Sequence, residues 1–122
     1  MSKAVLGPTR VLDAAAMAAA RTSSSIDVTT MDNVAFQASW TANDAANPPV
    51  GKLKLQGSID NTNWSDLASS EDGSVSGASG SVMLTVSQTP VTKIRAVYTP
   101  QGDTGSSGDG ALTIYALAKC LS

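Results

Sequence analysis

The reactive side chains of this 122-residue sequence are ten carboxylates, eight cations and a single thiol, with no imidazole anywhere. Without histidine the commonest general base is missing, and so are the His-containing triads and zinc sites. Paired carboxylates could still cleave a glycosidic bond or hold a hard cation. Most of them, however, sit among Gly, Asn and Ser, where an Asp side chain hydrogen-bonds its own turn. Asp60, Asn61, Asn63 and Asp66 form the densest oxygen cluster, and Asp103 and Asp109 flank a glycine-rich stretch. Neither has the spacing of a defined calcium loop, which must supply roughly six to eight oxygens. Cys120 has no neighbouring base and no second cysteine, so neither a nucleophile nor an internal disulfide is expected. Gly102-Asp103-Thr104-Gly105 lacks the Lys-Ser/Thr pair and the following helix of a phosphate loop. These residues predict no catalytic group, no metal ligand and no cofactor. An enzyme is not expected.

Charge is more informative than reactivity. Lys52 and Lys54 alternate with leucines, and Lys93 and Arg95 alternate with Ile94 and Ala96; together they are half of the eight basic residues. If the two segments share a sheet, its outer face carries four positive charges in a chain of net charge −2. Such a face is either a docking surface for an acidic partner or a solvated surface whose lysines discourage edge aggregation. The overall acidic balance gives no reason to expect nucleic acid. Trp40 and Trp64 could line a sugar-binding platform. Yet Phe36, Trp40, Trp64, Tyr98 and Tyr115 are the only aromatics, and a chain so poor in them needs its largest apolar groups inside. The expected core is Val34, Phe36, Trp40, Leu53, Leu55, Trp64, Leu84, Ile94, Tyr98, Leu112 and Ile114.

The elements that would position these residues follow from period-two alternation bounded by Gly, Pro, Asn, Asp and Ser. Strands are predicted over Val34–Trp40, Gly51–Gly57, Ser81–Val86, Val91–Thr99 and Ala111–Ala118, with a short one carrying Trp64 and Leu67. Ala68 to Gly80 and Pro100 to Gly110 read as loops. The alanine-rich segment within Val11–Arg21 has helix propensity. Together with Ile26-Asp27-Val28 it can also be read as a strand pair turned by Ser23-Ser24-Ser25, and extended structure is the preferred reading. Short strands at this spacing in a chain of one-domain length predict a single all-β domain, an antiparallel β-sandwich of jelly-roll type. Residues 1–21 would be an N-terminal arm or extra strands making intersubunit contacts, and residues 22–122 the sandwich.

Two stretches carry a resemblance. Thr22-Ser23-Ser24-Ser25-Ile26-Asp27-Val28 precedes Val34-Ala35-Phe36-Gln37-Ala38-Ser39-Trp40-Thr41, and Gly51-Lys52-Leu53-Lys54-Leu55-Gln56-Gly57-Ser58 runs on to Asn63-Trp64. With a late hairpin of Ile94–Thr99 and Gly110–Tyr115, they resemble small β-sandwich proteins encoded among the virion genes of tailed phages. Thr62 departs from that pattern, which usually has Gly in this turn; Asn61 could supply the positive φ instead. The resemblance implies a late, non-enzymatic virion structural protein. Capsid decoration or cement is the expected role, as a homo-oligomer contacting the major capsid protein or other virion subunits. A glycan-binding module of a head fibre or tail component is the alternative. The sequence shows no signal peptide and no apolar run long enough to cross a bilayer. Assembly in the host cytoplasm into a virion is therefore expected, with no membrane or nucleic-acid partner.

Overall fold

A computed structural model describes residues 4–17, 19–29, 33–67, 73–87, 91–100 and 109–120. Ten antiparallel strands form two sheets, and no helix occurs among the described residues. Sheet A has the order β1-β10-β4-β8, where β1 is Ala4–Ala16, β4 Asn33–Ala42, β8 Ser79–Ser87 and β10 Gly110–Cys120. Sheet B is built on β5 (Gly51–Ser58) and β9 (Lys93–Pro100), paired along their full lengths. Its flanks are short. β2 (Arg21–Thr22) and β3 (Ile26–Asp27) pair with β9, while β6 (Ser65–Asp66) and β7 (Gly73–Val75) pair with β5. With β2/β3 taken as one broken strand and β6/β7 as another, the order is that of an eight-strand jelly roll.

Alternation dictates which residues meet. Val34, Phe36, Ala38 and Trp40 of β4 are buried, and so are Leu112, Ile114, Ala116 and Ala118 of the adjoining β10. Leu53 and Leu55 of β5 with Ile94, Ala96 and Tyr98 of β9 close the interior from the other sheet. Of the eleven residues expected in the core, all but Trp64 are buried. Gly51 leaves no room for a side chain beside its neighbouring strand: a Cβ there would stand 2.5 Å from the Thr99 carbonyl oxygen and 2.8 Å from Tyr98 Cε1, both on β9.

Three local expectations need correction. The alanine-rich segment is strand β1, paired with β10 rather than with the Ile26 segment, and it places Val11 and Met17 in the core. Its register shifts three times, and Ala14 takes a φ of 47°. Second, Ser23 is no turn between paired strands. Thr22 lies opposite Val97 and Ile26 opposite Ile94, so β2 and β3 meet β9 around a bulge. The Ser23 hydroxyl accepts the Ala96 N–H at 2.9 Å, where a strand carbonyl would otherwise serve. Third, Ala68–Gly80 is not wholly loop. Residues 68–72 lie outside the described set, but β7 follows, and Val75, the one branched apolar side chain in a Ser/Gly tract, is buried. Likewise residues 101–108, with Asp103, lie outside the described residues.

Candidate docking face

The outward residues of sheet B form one continuous surface because β5 and β9 are in unbroken register. Lys54 lies opposite Val97, Gln56 opposite Arg95, and Ser58 opposite Lys93. Lys52, Lys54, Lys93 and Arg95 are thereby brought onto one face, with Asp27 of β3 at one margin and Asp66 of β6 at the other.

The margins hold the cations in place. Lys54 Nζ donates to Asp66 Oδ2 at 3.3 Å, and Gln56 Nε2 donates to Asp66 Oδ1 at 3.1 Å. Arg95 donates from Nε and Nη2 to Gln56 Oε1 at 3.1 and 3.0 Å. The chain of contacts thus runs Lys54, Asp66, Gln56, Arg95 across three strands. At its end the Arg95 guanidinium lies 4.1 Å from the centroid of the Trp64 ring, a cation–π stack. Trp64 is half-buried, not core. It precedes β6 on the outer side of sheet B, where its ring fixes an arginine. Alternation could not have revealed this, because Trp64 lies in the turn before a two-residue strand.

Separately, Lys93 Nζ meets Asp27 Oδ2 at 3.4 Å. The Asp27 carboxyl also accepts the Thr29 hydroxyl at 2.7 Å and the Thr29 N–H at 3.0 Å. These bonds, with Thr29 foremost and Lys93 after it, lower its pKa to about 2. Asp66 is lowered by Gln56 first and Lys54 second. Lys52 forms no ion pair among the described residues. With Lys54, Thr99 and Pro100 it borders a shallow depression of about 330 Å³. The face therefore carries four cations against two paired carboxylates, and Lys52 is the cation most available to a partner.

The oxygen cluster between β5 and β6 is a turn. Asp60 accepts the N–H groups of Asn63 at 2.8 Å and Thr62 at 2.9 Å, and its second oxygen takes the Asn63 amide at 2.7 Å. These donors, backbone Asn63 first, hold its carboxyl well below the usual carboxylate range. Asn61 takes the left-handed conformation at φ 63°, the job a glycine would do. Asp66 faces Lys54 and Gln56 instead of this turn, so the cluster does not converge on a common point. Among the described residues no group of three His, Cys, Asp or Glu side chains could hold a metal ion. Asp109 accepts the Met17 N–H at 2.8 Å and the Gly110 N–H at 2.7 Å, tying the end of β1 to the start of β10.

No family model and no curated protein sequence matches the chain. Among solved structures it is similar to YomS, a protein derived from the SPBc2 prophage. That TM-score is 0.57 at 12% identity, covering 97% of this chain and 93% of YomS. It is also similar to the PBSX exported protein XepA, with a TM-score of 0.54 at 16% identity, covering 96% of this chain and 36% of that one. A third likeness is to the CBM22-1 xylan-binding domain of Xyn10C from Paenibacillus barcinonensis. There the TM-score is 0.51 at 10% identity, over 80% of this chain and 64% of that domain. At such identities what is shared is the antiparallel β-sandwich. A prophage-derived protein, an exported protein and a xylan-binding domain all have it.

Proposed function

We propose that this protein is a non-enzymatic structural component of a phage particle, a decoration or cement protein that stabilises the head by docking on it. The observation that carries the reading is the sheet B face: Lys52 and Lys54 beside an arginine already fixed by Trp64 and Gln56. Side chains held in place lose little entropy on docking, and a positive face on an acidic protein orients it towards an acidic surface. A partner that binds only the assembled shell stabilises that state by mass action. The fold likeness to prophage-derived YomS supports a phage setting, and the sequence resemblance to virion sandwiches supports the same one.

The fold likeness to a xylan-binding domain keeps a glycan-binding module as the second reading. Arg95 already occupies one face of the Trp64 ring, which removes that face as a stacking platform for a sugar. Co-sedimentation with empty phage heads separates the two readings. Wild type is expected to pellet with heads in a salt-sensitive manner. Lys52→Glu, which breaks no ion pair among the described residues, is expected to weaken pelleting about tenfold. Unchanged pelleting by Lys52→Glu, or binding on a glycan array with none to heads, overturns the proposal.

A further inference from the structure

A β-sandwich exposes two edges per sheet, and each edge is a template for another strand unless something blunts it. Three of the four edges here are blunted. Both flanks of sheet B consist of strands two or three residues long, carrying Arg21, Asp27 or Asp66. The β1 edge of sheet A contains Pro8, which has no N–H to offer, three register shifts, and the exposed pair Arg10–Asp13 at 3.5 Å.

The β8 edge has none of these devices. Ser79-Gly80-Ser81-Val82-Met83-Leu84-Thr85-Val86-Ser87 contains no charge and no proline, and it pairs with β4 over nine consecutive positions without a shift. No strand among the described residues lies beyond it. Every second residue therefore presents its N–H and C=O outward. Met83, at the centre of the strand, is 56% exposed.

The residue pattern of this strand is complementary to itself. An antiparallel pairing of two copies about a two-fold axis at Met83 sets Val82 against Leu84 of the second copy and Gly80 against Val86. All four lie on the interior side. The same register sets Ser81 against Thr85 on the outer side, hydroxyl against hydroxyl. No like charges oppose each other anywhere along the contact. Val82, only partly buried against the core, gains an apolar neighbour from the other copy. We infer that β8 is a self-association edge, through which two copies of this chain join their A sheets into one eight-strand sheet.

This goes beyond the docking reading and does not depend on it, since the cations of that reading lie on β5 and β9 and take no part in the β8 pairing. The test is sedimentation of the full chain over a dilution series, with hydrogen exchange of the β8 amides measured alongside. Wild type is expected to dimerise, with β8 amides protected in step with dimer formation. Ser81 and Thr85 are exposed and lie opposite Ser39 and Ala35 on β4, so charges there leave the monomer intact. Ser81→Lys with Thr85→Lys places like charges across the dimer twice and is expected to raise its dissociation constant at least about tenfold. Ser81→Lys with Thr85→Glu restores complementary pairs in this register alone and is expected to recover the dimer. A wild type that stays monomeric overturns the inference, as does a dimer that both double variants weaken equally or not at all. Protection of β8 amides appearing only when phage heads are added would assign the edge to a foreign strand instead, and overturns it too.

Discussion

The two sheets share one interior but present unlike exteriors. On sheet B, Lys93 is paired with Asp27 at one margin, and an ion pair, an amide bridge and a cation–π stack link Lys54, Asp66, Gln56, Arg95 and Trp64 across the rest of the face. On sheet A, the outer face carries Met83 and Tyr115, 56% and 42% exposed, above Ala35 and Leu117. Beside them a depression of about 200 Å³ is lined by Pro8, Ala35, Gln37, Met83, Tyr115, Ala116 and Leu117. Sheet B ends in short charged strands and sheet A in one long neutral strand. The difference teaches that a jelly roll of this size can give its two sheets unlike exteriors without adding a domain: one face carries linked charges, and the other sheet ends in an uncharged nine-residue strand.

The largest test of that comparison asks whether the interior is in fact common property. Phe36 on sheet A and Leu55 on sheet B belong to the same buried cluster. Phe36→Ala is expected to cost about 3–5 kcal/mol and Leu55→Ala about 2–5 kcal/mol in urea unfolding. A loss below about 1 kcal/mol for either would mean that one sheet is a passenger, and the comparison would fail.

A smaller effect sharpens it at the open edge. A Cβ on Gly80 would stand 2.7 Å from Trp40 Cζ2, with the ring itself packed in the core. Gly80→Ala must displace that ring and is expected to destabilise by about 1–3 kcal/mol in the same measurement. The edge strand can thus be free of charge without being free of constraint, because its backbone lies against the largest side chain of β4.

The smallest effect belongs to acid. The carboxylates held low, Asp27, Asp60 and Asp66, all lie on sheet B or in its turn. A lowered folded pKa contributes stability that is complete above the ordinary value and lost as protons are bound. For Asp27 the contribution is present above 3.8 and disappears as the pH falls through about 2. Melting temperature is expected to decline across that window, and less steeply in Asp27→Asn. Identical pH profiles for the two proteins would show that the sheet B margin is not held as described.

Much of this architecture was legible because alternation is local. β4, β5, β9 and β10 follow from residues i, i+2 and i+4 alone, and their register follows from which face must be dry. β1 was ambiguous because alanine marks neither period; its extended form comes from pairing with β10, a contact that helix propensity cannot report. The four cations were visible as an alternating stripe, but not their partners. Asp27 and Asp66 lie on two-residue strands, too short to leave a pattern. Trp64 was misplaced for a related reason: composition argued that large rings go inside, while the stack with Arg95 gives this one a polar neighbour outside.

The placement of the two tryptophans has a consequence for anyone watching this protein in solution. Trp40 is enclosed, whereas Trp64 is half-buried and under a guanidinium. Their indole fluorescence therefore arises in unlike surroundings, one dry and one partly wet. A quencher dissolved in the buffer reaches the second far more readily than the first. The molecule carries two built-in lamps, one lit by events at its surface and the other by loss of its interior.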